Sequence, residues 1–217
     1  MKITTNYKGT IHLENKVIVS DPCYGLNTWC QGVVDNVLPG KYKCVSVYSD
    51  EGEWGTRIAA IMLMHKDYSE DFLVYNEMDF CVGVDSGQAG IFDYDYYKKY
   101  HKDSEEKDHV DEHWYDRVCD LTLEKKHNPN YVPFNWNENA DIMKEYQRYK
   151  EWCADARKSM MYTTCNEANT IDNLGFVSSS GYGDGDYCCW TAHNNEGKIV
   201  AIRVEYITED DEEDEDE

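Results

Sequence analysis

Three short segments place an aspartate beside glycine or proline at the edge of a strand-like run. Asp21 lies in the segment V-S-D-P-C-Y, Asp85 begins D-S-G-Q-A-G, and Asp184 lies in G-Y-G-D-G-D-Y. Carboxylates can bind a divalent cation such as Ca²⁺ or Mg²⁺, or act as acid and base. Glycine lets a ligand approach the backbone closely. If their strands are neighbours, we predict that the three aspartates converge at one end of a sheet.

The candidate site consists of these aspartates and the polar or aromatic residues near them. The residues predicted to bind a ligand are Asp21, Cys23, Tyr24, Asp85, Ser86, Gln88, Asp93, Tyr182 and Asp184. Asp21, Asp85 and Asp184 are also the predicted ligands of a divalent metal. The alternative for each aspartate is an Asx turn, in which the side chain accepts a hydrogen bond from nearby backbone. Such carboxylates would repel a bare phosphate unless backbone amides or a cation compensated.

A second pattern that could bind metal lies in the middle of the chain. His109, Glu112 and His113 match H-x-x-E-H, the spacing of inverted zinc peptidases. The preceding residues 105–108, E-E-K-D, are typical of a solvated helix, so we expect no metal at this histidine pair. Tyrosines follow the glycine-rich turn at Tyr94, Tyr96, Tyr97 and Tyr100. They could stack on a base or sugar ring, or lie partly buried under a helical segment.

The nine cysteines include no C-x-x-C pair, which argues against a zinc ribbon or a thioredoxin-type motif. We interpret them as reduced thiols that mostly fill the core. Cys23 is the best candidate for a reactive thiol because it lies in a turn. The sequence identifies no base that would activate it.

The order of the predicted elements favours an α+β fold. Strand-like runs fill residues 10–93, a helical segment follows at about 93–160, and strands return over 175–207. The clearest helix spans 138–157, where apolar residues recur at helical spacing. This order indicates a mostly antiparallel β-sheet with a helical segment between the N- and C-terminal strands. We expect a single domain over residues 1–207.

Local signals add detail to this outline. Turn residues predict a tight turn at 14–15 and a hairpin turn at 193–197 between the last two strands. We also predict a short helical turn at 26–32 and a strand at 71–75. These predictions place the aspartate segments in loops that connect strands.

The chain is strongly acidic, with 43 acidic and 21 basic residues and a formal net charge of −22. The last nine residues, 209–217, are all acidic, so we predict a disordered acidic tail over 208–217. No basic stripe could neutralise phosphates, and we expect no direct binding of nucleic acid. The sequence lacks an apolar stretch of about 18 residues and an apolar N-terminal run. We therefore expect a cytoplasmic protein that does not contact membranes.

The three aspartate segments together resemble the family known as domain of unknown function 4241, which is found in bacteria and phages. The similarity lies in the strand before D-P-C-Y, in D-S-G-Q-A-G-x-F-D and in G-x-G-D-G-x-Y, and it covers most of residues 10–207. The block 181–206 is the most family-like, although C-C-W at 188–190 replaces an expected apolar strand. The resemblance supports the fold and brings no established activity.

Three classes of function remain open from the sequence. The first is a non-enzymatic binding protein that takes a small polar ligand at the Asp/Gly-rich turns. A nucleotide-like ligand is a specific version, which would suit a phage-encoded protein. The second is a metal-dependent hydrolase that uses Asp21, Asp85 and Asp184. The third is an acidic interaction protein that binds a basic protein partner or mimics nucleic acid.

Overall fold

The computed structural model describes residues 2–100 and 167–208, which form eleven strands and one short α-helix. The strands are β1 (Lys2–Leu13), β2 (Lys16–Ser20), β3 (Gly32–Asp35), β4 (Gly40–Asp50), β5 (Thr56–His65), β6 (Tyr75–Val84), β7 (Gln88–Asp93), β8 (Ala168–Ile171), β9 (Gly175–Ser179), β10 (Gly185–His193) and β11 (Ile199–Glu205). The helix α1 spans Tyr94–Tyr100, and two 3₁₀ helices span Gly52–Trp54 and Glu70–Phe72.

The strands form two antiparallel sheets. The six-stranded sheet has the order β1-β4-β5-β11-β10-β6, and the five-stranded sheet has the order β3-β2-β7-β9-β8. These pairings confirm the prediction of mostly antiparallel β structure. The predicted helical segment is described only at α1, and its remainder lies outside the described residues. The described part is therefore mainly β, with one short helix.

The two sheets pack face to face because alternate residues of their strands share one apolar core. The six-stranded sheet contributes residues such as Ile61 and Ile202, and the five-stranded sheet contributes Val19, Ile91 and Phe176. The outer face of the five-stranded sheet is also buried, by a second cluster of residues. That cluster contains Ile18, Leu26, Phe92, Tyr96, Tyr97, Ile171 and Val177. Burial on both faces explains why β2 and β7 lack a polar alternation.

Two local predictions differ from the structure, and the two predicted turns are present. The turn at 14–15 joins β1 to β2, although these strands belong to different sheets, because β1 pairs with β4 along its length. Residues 71–75 contain the end of a 3₁₀ helix and the start of β6 rather than a strand. Residues 26–32 form turns and the start of β3, with no helix. The turn at 193–197 connects β10 and β11 as the predicted hairpin.

Several other predictions fall outside the described residues. They concern the helix at 138–157, the histidine pair His109 and His113, and the acidic tail beyond Thr208. Of the helices within residues 2–100 and 167–208, none combines the length and the apolar composition needed to cross a membrane.

Candidate functional site

The segments that contain Asp21 and Gln88 meet at one end of the five-stranded sheet. β2 ends at Ser20, which pairs with Gly90 near the start of β7, so Asp21 follows directly at that end. β7 begins at Gln88, opposite Ser179 at the end of β9. Antiparallel pairing thus aligns the end of two strands with the start of the third.

The six-stranded sheet ends at the same place, because β6 leads into β7 and β9 leads into β10. Val84 at the end of β6 pairs with Gly185 at the start of β10. Asp85 and Asp184 are the next residues beyond this pair, one on each chain segment. We call this region the junction and define it as residues 20–25, 50–57, 85–88 and 179–185.

The carboxylate of Asp21 secures the turn between β6 and β7. Asp21 is fully buried, and its Oδ1 accepts hydrogen bonds from the Cys23 N–H and the Ser86 hydroxyl, both at 2.8 Å. Its Oδ2 accepts from the backbone N–H groups of Asp85 at 3.1 Å and Ser86 at 2.8 Å. Four bonds occupy the four lone-pair positions of a carboxylate. Asp21 therefore positions the turn, and it has no acceptor site left for an outside ligand.

Tyr24 and Asp85 form a second contact across the junction. The Tyr24 hydroxyl donates to Asp85 Oδ2 at 2.6 Å. The pKa of Tyr24 is raised well above its ordinary value, mainly by burial and secondly by this hydrogen bond. The phenol therefore remains a donor at neutral pH. Asp85 itself is exposed, as is Asp184. These two carboxylates are the predicted aspartates that a molecule in solution can reach.

A buried polar network fixes the loop after β2. The Tyr97 hydroxyl lies 2.7 Å from the Tyr24 carbonyl oxygen and 3.1 Å from the Asp21 carbonyl oxygen. Gln31 Nε2 donates to Ser20 Oγ at 2.9 Å. Because Tyr97 belongs to α1 and is buried in the outer cluster, its hydrogen bonds attach the loop to the outer face of the five-stranded sheet. Burial is thus confirmed for Tyr96 and Tyr97, and the stacking interpretation is wrong for them.

Asp93 does not lie with the other candidates. It is the last residue of β7, five residues beyond Gln88, which corresponds to about 17 Å along an extended strand. Its Oδ1 accepts the N–H of Tyr96 and its Oδ2 accepts the N–H of Glu14, each at 3.1 Å. Asp93 therefore caps the start of α1 and ties down the turn after β1.

Tyr182 contacts two further residues of the junction, which no sequence pattern had indicated. Its hydroxyl donates to Glu51 Oε2 at 2.7 Å, and the Arg57 guanidinium carbon lies 5.7 Å from its ring centroid. Tyr182 remains 53% exposed. Glu51 reaches it from the loop between β4 and β5, and Arg57 reaches it from the start of β5. No local signal could have found them, because their position depends on the order of strands in the sheet.

Gln88 and Ser179 are the buried residues of the junction whose side chains carry an unpaired polar atom. They are 4% and 7% exposed, and within the described part of the chain neither Gln88 Oε1 nor Ser179 Oγ has a hydrogen-bond partner. The two residues are directly opposite each other on β7 and β9, so their side chains share one face of the sheet. Phe92 and Val177 mark this as the outer face. Leaving a buried polar group unpaired costs about 1–3 kcal/mol, so such a group usually meets water or a ligand.

Glycines leave the surface of two junction turns open. Gly87 has φ +70° and Gly183 has φ +120°, values that favour glycine. A Cβ at either position would have no heavy atom of another described residue within 4 Å. The backbone of both turns is therefore accessible to a small molecule.

The predicted metal site receives no geometric support from the described residues. Among residues 2–100 and 167–208, no group of three or more His, Cys, Asp or Glu side chains could hold a metal ion. The saturated hydrogen bonding of Asp21 gives the physical reason, since this carboxylate is already committed to the protein. Metal binding by Asp21, Asp85 and Asp184 stays a prediction.

The protein consists of two antiparallel sheets. Its junction is a polar, glycine-containing region where the chain passes from one sheet to the other. The family described as "Protein of unknown function (DUF4241)" matches residues 13–204, and the chain belongs to that family. The resemblance found in the sequence is thereby confirmed. No curated protein and no solved structure matches the chain.

Proposed function

We propose that this chain is a binding protein that takes a small, uncharged polar ligand at the junction. The observation that carries the proposal is the pair Gln88 and Ser179, whose buried Oε1 and Oγ atoms have no partner among the described residues. A ligand that donates a hydrogen bond to Gln88 and contacts Ser179 would remove the penalty of leaving both unpaired.

The charges of the junction narrow the class of ligand. Asp85 and Asp184 are exposed acids, and Glu51 lies beside Tyr182 in the same region. They would repel a phosphate group but would accept hydrogen bonds from hydroxyl or amino groups. A nucleoside or a sugar has such donors. A nucleotide would bind through its base or ribose, with its phosphate directed away from the carboxylates.

Binding is favoured over metal-dependent hydrolysis because of Asp21. A hydrolase of the kind considered from the sequence would use Asp21 as a metal ligand or a base. Its carboxylate instead accepts four hydrogen bonds from the protein and is fully buried. The proposal therefore assigns Asp21 to positioning and leaves ligand contact to Asp85, Gln88 and Ser179.

A thermal-shift screen of nucleosides and monosaccharides tests the proposal, with simple amines and phosphate esters as comparison classes. We expect at least one uncharged compound to raise the melting temperature of the wild-type protein, because a ligand that binds only the folded state stabilises it. Gln88→Met keeps the length of the side chain but removes its polar atoms. The variant should lose this response.

Ser46→Ala is the matched control, since Ser46 is a buried hydroxyl residue on β4, outside the junction. It should respond to the compound as the wild type does. The proposal fails if no compound stabilises the wild type, or if Gln88→Met responds as strongly as Ser46→Ala. A response confined to phosphate esters would contradict the ligand class.

A further inference from the structure

Two free cysteines lie directly opposite each other on neighbouring strands. Cys81 of β6 pairs in register with Cys188 of β10, and neither forms a disulfide. Directly opposed residues of an antiparallel pair have Cα atoms about 4.5–5.5 Å apart, within the range that disulfides span. Their side chains project from the same face of the sheet. The two thiols are thus already placed for a bond, although 106 residues separate them in the chain.

The two thiols differ in their access to solvent. Cys81 is exposed and lies on β6, one of the two edge strands of the six-stranded sheet. Cys188 is only half-buried, yet burial and, after it, the neighbouring Glu77 and Cys81 side chains raise its pKa to about 11. At neutral pH the Cys188 thiol is therefore protonated, with the Glu77 carboxylate near it. Cys81 is the thiol that a reagent meets first.

We propose that Cys81 and Cys188 form a dithiol site that reacts with low-molecular-weight disulfides and closes to a cross-strand disulfide. The Cys81 thiolate attacks one sulfur of the reagent, forms a mixed disulfide and expels the first reagent thiolate. Cys188 then attacks the Cys81 sulfur, passes its proton through Glu77 to solvent and releases the second reagent thiolate. The protein dithiol loses two electrons and two protons, and the reagent is reduced to two thiols.

This assignment stands independently of the proposed ligand site, although the two are near each other. Cys81 precedes the last residue of β6, Val84, by three positions, and Cys188 follows the first residue of β10, Gly185, by three. The disulfide would therefore join the strand that ends just before Asp85 to the strand that begins just after Asp184. Cys81 is an exception to the expectation that the cysteines mostly fill the core, whereas Cys30, Cys44 and Cys189 are buried.

Peptide mapping under non-reducing conditions tests the proposal on the full-length chain treated with glutathione disulfide. In the wild type we expect a linked peptide pair containing Cys81 and Cys188, with loss of two hydrogens from the intact mass. Cys188→Ser should accumulate a stable glutathione adduct on Cys81, because no second thiol can resolve it. Cys81→Ser should form no link to Cys188.

Cys189→Ala is the control, since Cys189 is adjacent but buried in the core on the opposite face. It should form the same link as the wild type. A second measurement needs no variant: phenylarsine oxide, which bridges neighbouring thiols, should protect Cys81 and Cys188 of the wild type from alkylation together. The proposal is overturned if Cys188 links to another cysteine, if the Cys81 adduct persists unresolved in the wild type, or if the arsenical protects neither thiol.

Discussion

At the scale of single residues, aspartates with similar sequence surroundings have different roles. Asp21 is fully buried and accepts four hydrogen bonds, so it stabilises the junction. Asp85 and Asp184 are exposed, and Asp93 caps a helix at the far end of β7. The type of residue and its flanking glycines could not separate these roles, because burial and hydrogen bonding depend on which segments meet.

Asp21→Asn tests the positioning role of this carboxylate. An amide nitrogen would face backbone N–H groups that now donate to an oxygen, so at least one charge-assisted hydrogen bond is lost. We expect the free energy of unfolding, measured with urea, to fall by about 1.5–3 kcal/mol. Asp184→Asn is the control and should change it by less than about 0.5 kcal/mol, as is usual for an exposed residue. Equal effects of the two substitutions would argue against the positioning role.

Asp85→Asn tests ligand contact by the exposed carboxylate. The substitution keeps the shape of the side chain and an oxygen that can accept from Tyr24, but it removes the charge that makes Asp85 a strong acceptor. Titration calorimetry with the compound that stabilises the wild type should show weaker binding. The stability loss should be smaller than for Asp21→Asn. Unchanged affinity together with lower stability would indicate that Asp85 only supports the turn.

At the scale of elements, the strand ends explain what the sequence could and could not predict. Proline, glycine and aspartate mark turns through local conformational preferences, so the three junction turns were identifiable from their residues. Pairing is a long-range property, and it places β1 and β2 in different sheets although only two residues separate them. The contributions of Glu51 and Ser179 follow from strand order and register, so they could not be read from sequence. The burial of Gln88 could likewise not be predicted from the sequence.

The end of β5 provides a pH-dependent contact that is separate from the junction. His65 is 5% exposed, its ring packs against Tyr42 and Tyr68, and its Nδ1 accepts the Asp67 N–H at 3.4 Å. Burial lowers the pKa of His65, with the Lys66 charge adding to this and the Asp67 charge opposing it. The unfolded chain therefore binds a proton more readily than the folded protein. The stabilisation from keeping His65 neutral is complete when the pH is above about 6.5, the pKa of a histidine in the unfolded chain. It is lost as the pH falls below that pKa.

His65→Phe should flatten this part of the pH dependence. Urea unfolding at pH values above and below about 6.5 should show a smaller loss of stability on acidification than in the wild type. His193→Gln, at an exposed histidine of β10, is the control and should keep the wild-type dependence. Identical pH dependence in His65→Phe and the wild type would contradict the assignment to His65.

At the scale of the whole molecule, each sheet combines strands from distant parts of the chain. In the six-stranded sheet, β10 and β11 lie between β5 and β6, and in the five-stranded sheet β9 joins β7 to β8. Without residues 167–208, β6 would lose β10, its one partner strand among the described residues. The order of strands along the sequence therefore differs from their order in space, which explains why a linear pattern suggested the class of sheet but not its topology.

The fragments 1–100 and 167–217 test the single-domain prediction. We expect each fragment alone to show no cooperative thermal unfolding, because the core contains residues from both. Mixing or coexpressing them should restore β structure, measured by circular dichroism, if the segment between them is not needed for pairing. Cooperative unfolding of either fragment alone would contradict a single domain.

A crystal structure of the wild-type protein, purified from cells and soaked with the stabilising compound, tests the central claim most directly. The account predicts density for the compound with a donor atom about 2.7–3.2 Å from Gln88 Oε1 and a polar atom at similar distance from Ser179 Oγ. Asp85 should contact the same molecule. The claim is contradicted if Gln88 and Ser179 are satisfied by each other or by a single ordered water while the compound binds elsewhere.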